Sequence, residues 1–226
     1  MGARSSHETY LQLGDGSSPQ VYATVGAVTD LSGPGLHVDM ADVTSLADTC
    51  RRKIPAIRGA VKATIKMLYD PDDATHEDLL DALAGKSVQA FLVSWPDFSN
   101  SVAATIVLVT DVLTTGAAHG WCTGRPVRFH TTGTLPASTP QVAEGVTYFA
   151  RRTGADTLTL HPTNADAVAG TNAINFTADT TPALHTLLSS EAWTFSAFVA
   201  DMKTRAAVGA ALEADLELEV TDSVTT

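Results

Sequence analysis

KIPAIRGAVKATIKMLYDPDDATHEDLLDALAGKSVQAFLVSWPD, Lys53 to Asp97, is the stretch whose reading decides the architecture. From Gly59 to Tyr69 it alternates: Val61, Ala63, Ile65, Met67 and Tyr69 point one way, Lys62, Thr64 and Lys66 the other. A period of two belongs to a β-strand with one buried face. Asp70-Pro71-Asp72-Asp73 ends it, because proline cannot donate to a ladder and aspartate favours turns. A short helix is predicted next. Thr75 is its expected N-cap, with Asp78 as an imperfect capping box, and Glu77 and Asp78 lie where the helix dipole favours acid. Leu79, Leu80 and Leu83 share the face expected to pack on the sheet, and Gly85 is expected to stop the helix. Val88 to Trp95 reads as the next strand.

The 226 residues are enough for one large or two small domains with a sizeable core. Aromatic residues are few (three Trp, four Tyr, seven Phe), so Ala, Val, Leu and Thr must fill much of that core. Their richness in short alternating runs points to β structure. A net charge of -11 argues against a nucleic-acid binder, which needs a basic footprint. It suits a surface that DNA slides past, and equally one that is merely soluble. Cys50 and Cys122 make no disulfide framework and read as free thiols of a reducing compartment. The first residues, MGARSSHETYLQLGDG, have no apolar stretch of a signal peptide, and no run is long enough to span a membrane.

In chain order, residues 1–20 are polar and expected as an extended arm, ordered against a neighbour. Val21–Leu31 and Leu36–Met40 read as strands around the turn Ser32-Gly33-Pro34-Gly35. Residues 41–57, ADVTSLADTCRRKIPAI, are long for a connection and carry Asp42, Asp48, Arg51, Arg52 and Lys53. Trp193–Thr204 is apolar on both faces for much of its length, as for a strand covered on both sides, and Arg205–Ala210 reads as a loop. In Ala211–Thr221, Leu212, Ala214, Leu216, Leu218 and Val220 form one face, and Glu213, Asp215, Glu217 and Glu219 the other. Like charges about 7 Å apart along a strand repel. They must be solvated or opposed, and Lys62 and Lys66 are the candidate partners if the two strands pair.

A strand, then YDPDDATHEDLLDALAGK, then VQAFLVSWPD, closed much later by AWTFSAFVADM and an alternating last strand, resembles the tail tube protein of long-tailed, non-contractile bacteriophages. The type VI secretion tube protein shares that fold. The resemblance spans residues ~20–97 and ~190–222, roughly half the chain. It implies a mainly β (α+β) fold, a tail-tube-type β-sandwich or barrel with one packed α-helix. The core domain would be 21–97 with 191–226. Residues 98–190 lie where compact tube proteins have a short hairpin, and so look like an inserted small β-domain on the outer surface. Its expected strands are Ala103–Val112, Val127–His130, Thr147–Arg151, Thr157–His161 and Ala173–Thr177, with a helical turn at Asn164–Ala169.

Functionally the resemblance implies a structural virion protein without cofactor, assembled in the host cytoplasm into stacked, hexameric rings of a DNA-conducting tail tube. Glu213, Asp215, Glu217 and Glu219, with Lys62 and Lys66, would line the channel. The loop with Asp42, Asp48, Arg51, Arg52 and Lys53 would reach the next ring, unless it is only a surface loop with solvated charges. Partners would be copies of itself, the tape measure protein, tail terminator and distal tail proteins, and viral DNA passing without specific binding. The alternatives are a fibre, baseplate or host-surface-binding module, with Trp121, Phe129, Tyr148 and Phe149 stacking on sugar or forming the insert's core, and a secretion-system tube. Enzyme readings find no support: the histidines are scattered, no nucleophile or phosphate-loop motif is present, and Asp70–Asp81 is a poor calcium loop.

Overall fold

The computed structural model describes residues 8–45, 49–181, 185–206, 211–222 and 224. The chain divides into two compact units, Met1–Val25 with Phe91–Trp193 and Thr226, and Gly26–Ala90 with Thr194–Thr225. Among the described residues no helix is long and apolar enough to cross a membrane.

In the first unit, β1 (Tyr10–Gly14) lies between β2 (Tyr22–Thr24) and the Phe91–Ser94 part of β7 (Val88–Ser94), antiparallel to both. Residues 1–20, expected as an extended arm, therefore contain a strand paired within the chain, with Leu11 and Leu13 buried. The polar letters around it hide the signal, since only YLQL carries the alternation. The single strand predicted for Val21–Leu31 is broken at Ala27, whose φ of 50° no strand accommodates.

The rest of this unit is a closed six-stranded barrel. Its strands are β8 (Asn100–Val107), β9 (Val112–Thr115), β10 (Arg125–Thr131), β12 (Thr147–Arg152), β13 (Thr157–His161) and β15 (His185–Ser189), in the order β10-β12-β13-β9-β8-β15. β15 closes it by pairing with both β8 and β10, and closure removes exposed edges. β11 (Ala137–Thr139) and β14 (Asn175–Ala178) form a separate pair, and α2 spans Asn164–Ala169. The barrel interior is apolar at its centre, from Leu113, Val127, Phe129, Leu158, Leu160 and Leu187. Trp121, Phe129, Tyr148 and Phe149 are all buried, so none offers a ring face to a sugar.

A buried polar knot ties β1 and β2 to the barrel. Gln12 Nε2 and Asn164 Nδ2 both donate to Gly124 O, at 2.7 and 3.1 Å. Asn164 also donates to Tyr22 O at 3.1 Å and accepts from Thr24 N at 2.8 Å. Gly124 is required there: its φ is +94° and a Cβ would stand 2.1 Å from Tyr22 O. Beside the knot, Glu8 pairs with Arg128, and the Tyr10 ring meets Phe149 edge-on at 5.5 Å.

The second unit holds β3 (Val28–Ser32), β4 (Gly35–Asp42), β5 (Lys53–Val61), β6 (Ala63–Leu68), α1 (Ala74–Gly85), most of β16 (Ala192–Arg205) and β17 (Glu213–Val220). β16, β17, β6 and β3 pair antiparallel in that order. Phe195, Ala197 and Val199 of β16, Ala214, Leu216 and Leu218 of β17, and Ala63, Ile65 and Met67 of β6 are all buried, as the period of two demands. Burying one such Leu or Ile side chain contributes about 2 kcal/mol.

The run predicted as one strand from Gly59 to Tyr69 is two, broken at Lys62. A Cβ on Gly33 would lie 2.7 Å from Lys62 O, so the β3–β4 turn passes against that peptide while β5 and β6 take different partners. Residues 41–57 are likewise not all loop. β4 and β5 pair from Gly35↔Val61 to Asp42↔Lys53, which shortens the connection to 43–52.

Helix α1 starts two residues earlier than predicted. Asp73, not Thr75, is the N-cap, and accepts from Thr75 N at 2.8 Å. At the other end the left-handed residue is Lys86 rather than Gly85, with Ser87 N donating to Ala82 O at 3.1 Å. Leu79 is fully buried and Leu83 half-buried, but Leu80 is exposed, because His76 and Ala82 complete the inner stripe instead. His76 has no exposure. Its Nε2 lies 3.0 Å from Gly26 O and its Nδ1 3.1 Å from Asp70 N, and Tyr69 stacks on it.

Candidate functional site

The outward face of the β16-β17-β6-β3 sheet carries the chain's densest array of charge among the described residues. Alternation on β17 turns Ala214, Leu216 and Leu218 inward, so Glu213, Asp215, Glu217 and Glu219 face out, partly or fully exposed. Register then decides what stands beside them. Glu217 lies between Asp201 and Thr64, Asp215 between Lys203 and Lys66, and Glu213 between Arg205 and Leu68. Lys66 is in turn opposite Asp30 of β3.

The ion pairs follow this lattice. Lys62 Nζ pairs with Glu217 and also lies 3.1 Å from Glu219 Oε2. Arg205 reaches Asp215 at 3.2 Å, Lys203 pairs with Asp201, and Lys66 lies 4.0 Å from Asp30. Hydrogen bonds that Lys62 donates first to Glu217, then to Glu219, raise its ammonium above its ordinary pKa. Asp201 does the same to Lys203.

The sequence predicted four carboxylates and two lysines here. The fold adds Asp30, Asp201, Lys203 and Arg205 to the same face. The signal for three of them was present: Asp201, Lys203 and Arg205 follow one another at a spacing of two. It was masked by the apolar start of β16 and by a β-bulge between Val199 and Asp201, which resets which residues face out. Beyond Val199 no residue of β16 is buried, and Arg205, placed in a loop by sequence, is its last residue. A shallow depression in this face is lined by Thr64, Lys66, Asp201, Lys203, Asp215 and Glu217.

The second predicted cluster lies at the tip of the β4–β5 ribbon. Asp42 ends β4, Lys53 opens β5 opposite it, and Arg51 and Arg52 lie in the connection, all exposed. Asp48 lies outside the described residues. Asp42 Oδ1 accepts from Thr44 N at 2.9 Å, and Thr44 Oγ1 accepts from Arg52 N at 2.9 Å, so the tip is closed by local bonds. The Thr44 bonds hold Asp42 below its ordinary pKa. Along the ribbon, Met40, Val43 and Ile54 are exposed at 53, 42 and 50%.

Among the described residues, no group of three or more His, Cys, Asp or Glu is placed to hold a metal ion. His119, beside Trp121, is lowered in pKa mainly by burial, and its Nδ1 accepts from Trp121 N at 3.0 Å. Cys122 is raised by burial, the opposite of an activated thiol.

Compared with known proteins, residues 5–226 match a family model described as phage tail tube, TTP, lambda-like. No curated protein matches. Among solved structures, a chain from the tail of an empty GTA particle, refined with C6 symmetry, superposes with a TM-score of 0.50 at 10% identity, covering 99% of this chain and 98% of that one. A chain of the six-fold symmetrised anti-feeding prophage baseplate reaches a TM-score of 0.43 at 9% identity, covering 100% and 95%. The likeness to the GTA tail chain is one of fold.

Proposed function

This chain belongs to the lambda-like phage tail tube family, and from that premise we propose how its surfaces serve a tube. It is a structural subunit of the virion tail, not an enzyme, and it self-assembles into the tube. Rings of six stack with their mixed-charge sheet faces turned to the bore, the number resting on the C6 symmetry of the GTA tail that shares the fold. The observation that carries the bore assignment is the exposed face of β17, where Glu213, Asp215, Glu217 and Glu219 stand with no strand or helix over them among the described residues.

The β4–β5 ribbon reaches the adjacent ring. An isolated two-stranded ribbon is marginal in water, and exposed Met40, Val43 and Ile54 give it an apolar surface to bury there. The barrel built from 98–190 projects outside, where an addition disturbs stacking least. The tape measure protein occupies the bore during assembly, DNA passes through it later, and terminator and distal tail proteins cap the ends.

Electron microscopy of the purified chain tests this. Rings or tubes are expected, and a gold-labelled maleimide on Glu217→Cys, in a chain whose free Cys50 and Cys122 are both changed to Ser, should place density in the bore. Solitary molecules, or label on the outer wall, would refute the assignment.

A further inference from the structure

We propose that the carboxylates of the sheet face act as masks for its cations: each holds a neighbouring lysine or arginine so that the wall presents no free positive charge to a passing polyanion. This rests on the reading of that face as the wall of the bore.

A wall meant only to repel phosphate needs no cations, yet this face carries four among the described residues. Every one has a carboxylate beside it: Lys62 is held between Glu217 and Glu219, Lys203 pairs with Asp201, Arg205 with Asp215, and Lys66 with Asp30. Stability does not explain the pattern. Lys62, Lys66, Lys203 and Arg205 are 54, 66, 70 and 75% exposed in their side chains, and pairs that exposed contribute little to folding. An unpaired lysine or arginine on such a wall, by contrast, gains affinity for phosphate by releasing its counterions. Repeated around a ring, even weak contacts would add up and hold DNA in place. Pairing within the sheet keeps the cations, which separate the like-charged carboxylates of β17, while removing their appetite for phosphate.

The test neutralises the masks of Lys62, Lys203 and Arg205 in the full chain: Glu217→Gln, Glu219→Gln, Asp201→Asn and Asp215→Asn together. A control changes four exposed acids of the helix region, D72N, E77Q, D78N and D81N, so that both proteins fall from a net charge of -11 to -7. Binding of a labelled DNA duplex is read by fluorescence anisotropy at low salt. The face variant should bind at least about tenfold tighter than wild type and the helix variant, with affinity falling steeply as salt rises. Adding Lys62→Gln to the face variant should give part of that back. Equal binding by the face and helix variants, whether both weak or both tight, would overturn the proposal, with unchanged circular dichroism showing that the fold is intact. The binding is read on the free chain, so its failure removes the masks and leaves the bore assignment standing. Label on the outer wall of a tube does the reverse.

Discussion

At the scale of single residues, Asp73 shows how one carboxylate sets an element's start. Its side chain takes both Thr75 N and Thr75 Oγ1, at 2.8 and 2.7 Å, at the mouth of α1. Burial pushes its pKa up, but the two Thr75 bonds, with smaller help from His76, together hold it below the ordinary value of 3.8. A depressed folded pKa means the carboxylate's contribution is present above that ordinary value and is lost as pH falls through the folded one. Asp73→Ala should therefore lose about 1 kcal/mol at neutral pH. Urea denaturation of both proteins should show the gap intact at pH 7 and closing only below pH 3.8.

At the scale of elements, the β4–β5 ribbon is the piece whose surface contradicts its solitude. It pairs with no third strand among the described residues, yet exposes Met40 at 53% and Ile54 at 50%. Side chains already in water contribute little to the subunit's own stability, while burying both against a neighbour would contribute about 2–4 kcal/mol per contact. Met40→Ser with Ile54→Thr should leave the thermal midpoint of the free subunit within a few degrees of wild type. Tube yield, measured by sedimentation, should fall sharply. A large drop in the midpoint with normal tubes would assign the ribbon to the subunit's own fold instead.

At the scale of the whole molecule, the barrel takes part of its bonding from residues 8–24. Its strands run from Asn100 to Ser189, but Gln12, Tyr22, Thr24 and Glu8 from the chain's beginning complete its hydrogen bonds and an ion pair. Losing these three hydrogen bonds, two buried and one partly buried, costs about 3 kcal/mol at roughly 1 kcal/mol each, with a further penalty for polar groups left unpaired. Residues 98–190 expressed alone should melt well below the barrel of the full chain, and a peptide of residues 8–25 should raise the midpoint. Equal melting with and without that peptide would show the barrel to be autonomous.

How much could be read without the fold depended on the range of the interaction. The face of β17, the buried stripe of β6, the strand at Thr157–His161 and the helix at Asn164–Ala169 were legible because each depends on a period or a cap within a few residues. The ends of α1 were off by a residue or two, since Asp73 and Lys86 compete with equally plausible neighbours. β1 and β15 were missed because short polar-flanked runs become strands only when distant partners arrive: β7 and β2 for one, β8 and β10 for the other. Local alternation by itself determined that this protein is mainly β with one acidic sheet face, because the pleat assigns sides two residues at a time. Only the tertiary structure decided that Lys62, Lys66, Lys203 and Arg205 share that face and that residues 8–24 bond to the barrel. Strand register, the bulge after Val199 and long-range pairing are settled by contacts that no local window contains.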